Sequence, residues 1–184
     1  MSNYRRDRSA GGSWFFTVNL ADRRQRLLLD HVEALREAFR YTLRRHPFRV
    51  EAIVIMPDHL HTVWTLPVAD VDYPLRWRLI KTMFTRSLPA VERISASRRG
   101  KGERHVWQRR YWEHRLRDEQ DFARHIDYIH NNPLKHGYVS ALADWPWSSF
   151  HRYVRHGVLP EDWAGGDGEG AEFGERGDSI TRSE

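Results

Sequence analysis

The 184-residue sequence predicts an α+β protein, one antiparallel sheet with helices packed on it, from three observations. Short runs rich in aromatic and β-branched residues recur along the chain, the signature of strands. Segments with apolar residues at helical spacing alternate with them. With 40% hydrophobic and 30% charged residues, the chain has the balance of a soluble globular protein and can bury one sizeable core.

The elements follow in order. Gly11-Gly12 ends a polar arm, and SWFFTVN (13–19) reads as a first strand. Asp30 is positioned to cap a helix running to about Arg45, with Val32, Leu35, Ala38, Phe39 and Leu43 on its apolar face and Pro47 beyond its end. FRVEAIVIM (48–56) and HLHTVWTL (59–66) form a hairpin around Pro57-Asp58. A second helix is expected over roughly 75–88, and SASRRGKGER lies in a polar, basic loop spanning 89–105 that should be mobile. VWQRRYWEHRL (106–116) reads as a fourth strand. Asp118 starts a third helix that Pro133 should end, and WPWSSF (145–150) should open a short last one. The order β-α-β-β-α-β-α fits a ferredoxin-like sheet, which many RNA-binding modules share, so topology alone assigns no function. The expected organisation is a flexible basic arm (1–12), one domain (13–163) and an acidic, disordered tail (164–184).

Composition excludes several classes. There is no cysteine, which removes disulfides, thiolate metal sites and cysteine nucleophiles. No run approaches 18 apolar residues, and the basic start lacks the apolar stretch of a secretory signal, so the expected compartment is the cytoplasm. Charge is uneven. Residues 161–184 hold eight acids and two bases, a net of −6, while the first 160 hold 28 bases and 17 acids, a net of +11. The bases are mostly arginine, whose planar fork suits phosphate, and so basic a body points to a polyanion such as nucleic acid. A merely solvated basic surface is the plainer reading.

Two sets of residues carry chemistry. His59 and His61 stand two apart on a strand, so both imidazoles share a face and could share a metal ion, given a further ligand. Such a pair also arises by chance in a chain with 11 histidines. On the third helix, Phe122, Ile126 and Ile129 form an apolar stripe, and Asp121, His125, Tyr128 and Asn132 cluster on a polar flank beside it. Tyr128 and Asn132 are one turn apart. Alone they read first as a boundary tyrosine and a helix cap before Pro133. With the His pair they suggest phosphodiester chemistry. A tyrosine oxygen can displace one strand of a phosphodiester when a cation withdraws charge from the non-bridging oxygens. The covalent phosphotyrosine so formed conserves the bond energy for rejoining.

These residues resemble a known family. Met56-Pro57-Asp58-His59-Leu60-His61 is similar to the His-hydrophobe-His motif of the HUH single-tyrosine transposases. Tyr128 to Gly137 (YIHNNPLKHG) resembles the tyrosine helix of one branch, the REP-associated tyrosine transposases. WQRRYWEH (107–114), WSSF (147–150) and the Gly-Gly before the first strand also look like that branch, so the likeness spans about 4–163. The resemblance implies an HUH endonuclease fold and a metal-dependent single-strand DNA endonuclease and strand transferase. Its substrates would be hairpins of the repetitive extragenic palindrome (REP) type. It implies Tyr128 as the nucleophile leaving a 5′-phosphotyrosine, with His59, His61 and Asn132 as the catalytic metal set for Mg²⁺ or Mn²⁺. The branch acts as monomer or homodimer.

For DNA binding, Arg109, Arg110 and Arg115 interleave with Trp107, Tyr111 and Trp112, the mixture that tracks phosphates and stacks bases. The same pattern also describes a strand with buried aromatics and solvated arginines. Arg5, Arg6 and Arg8 on the arm and Arg98, Arg99, Lys101 and Arg104 in the basic loop are further candidate contacts. Trp145 and Trp147 read as core. The acidic tail would either compete with DNA for the basic body or be inert. A hairpin-binding regulator without cleavage is the alternative from another class.

Overall fold

The computed structural model describes residues 9–89 and 106–165. The candidate contacts Arg5, Arg6, Arg8, Arg98, Arg99, Lys101 and Arg104, the loop and nearly all of the acidic tail lie outside the described residues. Four strands, β1 (Gly12–Asn19), β2 (Arg49–Ile55), β3 (His59–Leu66) and β4 (Trp112–Arg115), form one antiparallel sheet in the order β2-β3-β1-β4. The helices are α1 (Leu27–Asp30), α2 (Val32–Arg45), α3 (Tyr73–Ser87), α4 (Glu119–Lys135) and α5 (Phe150–Arg155). This is the expected ferredoxin-like arrangement. Among the described residues, no helix is long and apolar enough to cross a membrane.

The alternation of each strand sorts its side chains between two covered faces. Trp14, Phe16 and Trp64 point to α2 and α3, where the Trp64 and Trp77 rings stack at 4.3 Å and Phe48 lies 4.3 Å from Trp64. Phe15, Thr17, His61 and Val63 share the other face, under α4, because Phe15 pairs with Val63 and Thr17 with His61. A bulge at Glu51 keeps both ends of β2 in phase, since Val50 opposes Trp64 and Ala52 opposes Val63.

Several boundaries differ from the sequence reading, each for a physical reason. Asp30 caps nothing: it ends α1, a turn of helix formed because Leu27, Leu28 and Leu29 are all buried. His31 then precedes α2 without a side-chain cap. Helix α3 starts two residues early, where the Asp72 carboxylate accepts from Leu75 N–H and Pro74 occupies the first turn. The fourth strand is only four residues long. Trp107 makes a single bridge to Leu20, and the chain leaves the sheet before Trp112. Pro133 does not end α4, since a proline in the last turn forfeits one helical hydrogen bond and no more. The helix stops at Gly137 (φ +67°), where Tyr138 N–H reaches the Pro133 carbonyl and Gly137 N–H that of Leu134.

WPWSSF opens the last helix only at its final residue, Phe150. Trp147 and Ser149 pair along the open edge of β2, with Ile55 N–H to the Trp147 carbonyl (2.9 Å) and Ser149 N–H to that of Ile53 (2.8 Å). An edge strand needs partners for its backbone groups, and this segment supplies them before α5 begins. Trp145 is core, its indole N–H donating to the Ile55 carbonyl, and Trp147 packs against the core half-buried.

At the start of α4 the Asp118 side chain accepts from Asp121 N–H (2.7 Å). Asp118→Ala should cost about 1 kcal/mol, read from urea denaturation. An unchanged midpoint would show that packing alone holds this end of the helix.

Candidate active site

Strand β3 delivers the two histidines. His59 and His61 point to the α4 face with ring centroids 4.9 Å apart, and both are essentially buried. Each ring is held through Nδ1. His59 Nδ1–H donates to Asp58 Oδ1 (2.7 Å), and His61 Nδ1 pairs with the Thr17 hydroxyl (2.8 Å) from its register partner on β1. Asp58 is clasped from its other side by the Arg23 guanidinium. Burial alone would raise the Asp58 carboxyl, but its bonds with His59 and Arg23 outweigh that and hold it below its ordinary value. The aspartate therefore stays anionic and directs the His59 lone pair to Nε2. The Nε2 atoms of His59 and His61 are buried and make no hydrogen bond.

Helix α4 crosses this pair. The Tyr128 ring lies 5.2 Å from that of His61, and the His136 ring 5.6 Å from that of His59. Asn132, one turn from each along the helix, is fully buried, with an Oδ1 that no hydrogen bond engages. Tyr128 is 8% exposed, wedged against Phe15 (5.9 Å), with the Lys135 ammonium 4.9 Å over its ring. The structure thus brings His59, His61 and Tyr128 together, with Asn132 buried one turn from Tyr128 on the same helix. Two imidazole nitrogens and an amide oxygen, buried and without hydrogen bonds, are a donor set that fits a divalent cation.

Sequence reasoning missed the groups that orient this set: Asp58, Arg23 and Thr17. Asp58 was legible as the neighbour of His59, whereas Thr17 and Arg23 are 44 and 36 positions from the histidines they touch. Asp121 and His125, expected on a polar flank, are both buried, because this flank lies against β4. There Asp121 accepts from His114 Nε2 (2.9 Å) and His125 approaches its other oxygen (3.2 Å).

Burial depresses several histidines. It pushes His61 well below the usual imidazole value, with the charge of His59 adding to the effect, and lowers His125 and His136. His130, buried against Ser149, is lowered to about 3 by burial and by Arg152. A histidine neutral in the fold and basic when unfolded contributes stability above its unfolded pKa, near 6.5, and loses it as pH falls toward the folded value. Stability should thus fall as pH drops from about 6.5, for His130 down to about 3, by up to about 1.4 kcal/mol per pH unit. His130→Asn should flatten the profile in thermal melts across that window.

Of the candidate DNA contacts, Arg109, Arg110 and Arg115 are exposed. Tyr111 is buried among Phe16, Tyr73 and Trp77, with the Lys81 ammonium 5.2 Å over its ring, so it presents a wall where a stacking platform was expected. Arg109 and Tyr111 line a cleft of about 560 Å³ with Arg78 and Lys81, on the α3 side of the sheet. Trp107 is buried, and Trp112 is half-buried against His114.

Comparison with known proteins agrees with this geometry. The profile of a family described as "Transposase IS200 like" matches residues 15–132. Over 165 residues the chain is 46% identical to the REP-associated tyrosine transposase of Escherichia coli K12, covering 90% of this chain and 92% of that protein. A Haemophilus influenzae relative, provisionally given the same name, is 48% identical over 166 residues, 90% of this chain and 94% of its own. A solved REP-associated tyrosine transposase bound to a REP hairpin superposes with a TM-score of 0.83 at 45% identity, covering 96% of this chain and 98% of that one. The chain belongs to the IS200-like single-tyrosine transposases, a class of enzymes. Within that class it is one of the REP-associated tyrosine transposases.

Proposed function

We propose that the protein is a metal-dependent single-strand DNA endonuclease and strand transferase that acts on REP-type hairpins through a 5′-phosphotyrosine on Tyr128. The observation that carries the reading is the approach of the Tyr128 ring to His61, 5.2 Å away, beside two histidines whose Nε2 atoms are buried. The bound hairpin of the 45% identical neighbour supports the substrate class.

His59, His61 and Asn132 would hold the ion, Mg²⁺ or Mn²⁺, which supplies charge withdrawal from the non-bridging oxygens of the scissile phosphate. Asp58 and Thr17 fix the two imidazoles, so the ligands need no reorganisation when DNA arrives. Tyr128 oxygen forms a bond to phosphorus, and the bond from phosphorus to the 3′ oxygen breaks. The phenol proton goes to water, and the departing 3′ oxygen takes a proton from water to leave as a hydroxyl. The Lys135 ammonium lies 4.9 Å over the Tyr128 ring. Attack by that hydroxyl, or another, on the phosphotyrosine reverses the step and joins the ends. The exposed Arg109, Arg110 and Arg115, together with the cleft formed by Arg78, Lys81 and Tyr111, track the phosphates of the hairpin and its flank.

The test uses end-labelled single-stranded hairpins drawn from the host genome's own repeats, with Mg²⁺ or Mn²⁺. Wild type should give a covalent protein–DNA band and a shortened strand on a denaturing gel. If it shifts these hairpins on native gels but never cuts them, the protein is a hairpin-binding regulator.

A further inference from the structure

We propose that His114, Asp121 and His125 form a second divalent-cation site, selective for a Zn²⁺-like ion, that pins edge strand β4 to the helix bearing Tyr128. Among the described residues these are the histidine and carboxylate side chains whose ligand atoms converge, all within 4.8 Å of one another. His114 comes from β4, and Asp121 and His125 are one turn apart on α4, so the set spans two elements.

The spacing suits a metal. Ligands at about 2.0–2.2 Å from a tetrahedral zinc stand roughly 3.3 Å apart. His114 Nε2 lies 2.9 Å from Asp121 Oδ2, and His125 Nδ1 3.2 Å from Asp121 Oδ1. The two imidazoles therefore flank the two oxygens of one carboxylate, their rings stacked at 5.1 Å. Asp121 and His125 are nearly fully buried, while His114 keeps about a quarter of its side chain exposed, which leaves an entry path. Two imidazoles and a carboxylate are a donor set that suits zinc, with water completing the shell.

The present bonds show what the ion would replace. His125 Nδ1 is 2.7 Å from the Asp121 carbonyl, and Asp121 Oδ2 also accepts from the backbone N–H and the guanidinium of Arg117. Coordination exchanges the His125 and His114 bonds for metal bonds, each ring proton moving to the other nitrogen. The Arg117 N–H bond remains on Asp121 to orient it. Phe15 separates this site from the first, its ring 4.8 Å from His125 and 5.6 Å from His61, so the two ions would be bound independently.

Strand β4 has four residues and pairs with β1 alone. A metal clasp at His114 would fix it and set the rotation of α4, on which Tyr128 lies three residues beyond His125.

The test is zinc titration of the metal-stripped full-length protein in competition with a chromophoric chelator. The variants are His59→Ala with His61→Ala, which removes the first set, and His114→Gln, whose amide still donates to Asp121 and preserves the fold. The expected result is two equivalents for wild type and one for each variant. Zinc should raise the melting temperature of the His59→Ala/His61→Ala protein but not once His114→Gln is added. Co²⁺ in the His59→Ala/His61→Ala protein should show the visible bands of a four-coordinate ion. If that protein takes up no zinc, or keeps an equivalent that His114→Gln does not abolish, the second site is overturned and the cluster is a hydrogen-bonded clasp. A single wild-type equivalent lost in His114→Gln, with the His59→Ala/His61→Ala protein unaffected, would instead leave this site standing and refute the first.

Discussion

Tyr128→Phe is expected to abolish the covalent protein–DNA product and to cut strand cleavage by roughly a thousandfold or more, the scale on which enzymes lose activity with their nucleophile. The substitution removes one oxygen from a ring already packed among Phe15, His61 and Lys135, so the fold should hold. Hairpin affinity should stay within about twofold, because the phenol adds no charge and most binding free energy comes from phosphate contacts. Denaturing gels for the adduct and fluorescence anisotropy for the affinity separate the two quantities. Equal adduct formation by the variant would assign the nucleophile to another residue.

The second large effect is expected at a residue that touches no substrate. Asp58→Asn should raise the Mg²⁺ or Mn²⁺ concentration needed for half-maximal cleavage by about 10–100-fold, the usual cost of removing a carboxylate behind a metal-bound histidine. Asp58 receives His59 Nδ1–H and the Arg23 guanidinium together. An amide keeps the shape but loses the charge, and its NH₂ group can turn the imidazole to the wrong tautomer, with the lone pair on Nδ1. At saturating metal much of the rate should return, and hairpin affinity should be unchanged. A metal requirement equal to that of wild type would reduce Asp58 to an ion-pair partner of Arg23.

Much of the site was legible because it is local. His59 and His61 needed only a strand, and β3 begins and ends where its alternating pattern does, at His59 and Leu66. Tyr128 and Asn132 needed only a helix and its 3.6-residue period, which the run from Asp118 declares with an aspartate cap and a stripe of isoleucines. That the two pieces meet came from the family resemblance, since no spacing along the chain brings residue 61 to residue 128. The failures were of another kind. Asp30, Pro133 and the WPWSSF segment carry strong local signals that other demands overrode: the burial of three leucines, a helix end made at Gly137, four residues past the proline, and an unpartnered strand edge.

By itself the sequence determined most of the element types and strand faces, because each follows from the geometry of a single strand or helix, and its family resemblance named the four groups proposed to do the chemistry. Only the tertiary structure decided which groups support them. Thr17 stands behind His61 through the β1–β3 register, and Arg23 behind Asp58 through a loop. His136 comes to His59, and His114 to Asp121 and His125, through the crossing of α4 over the sheet. A hydrogen bond between elements depends on register and packing angle, and those are properties of the whole core that no single segment encodes.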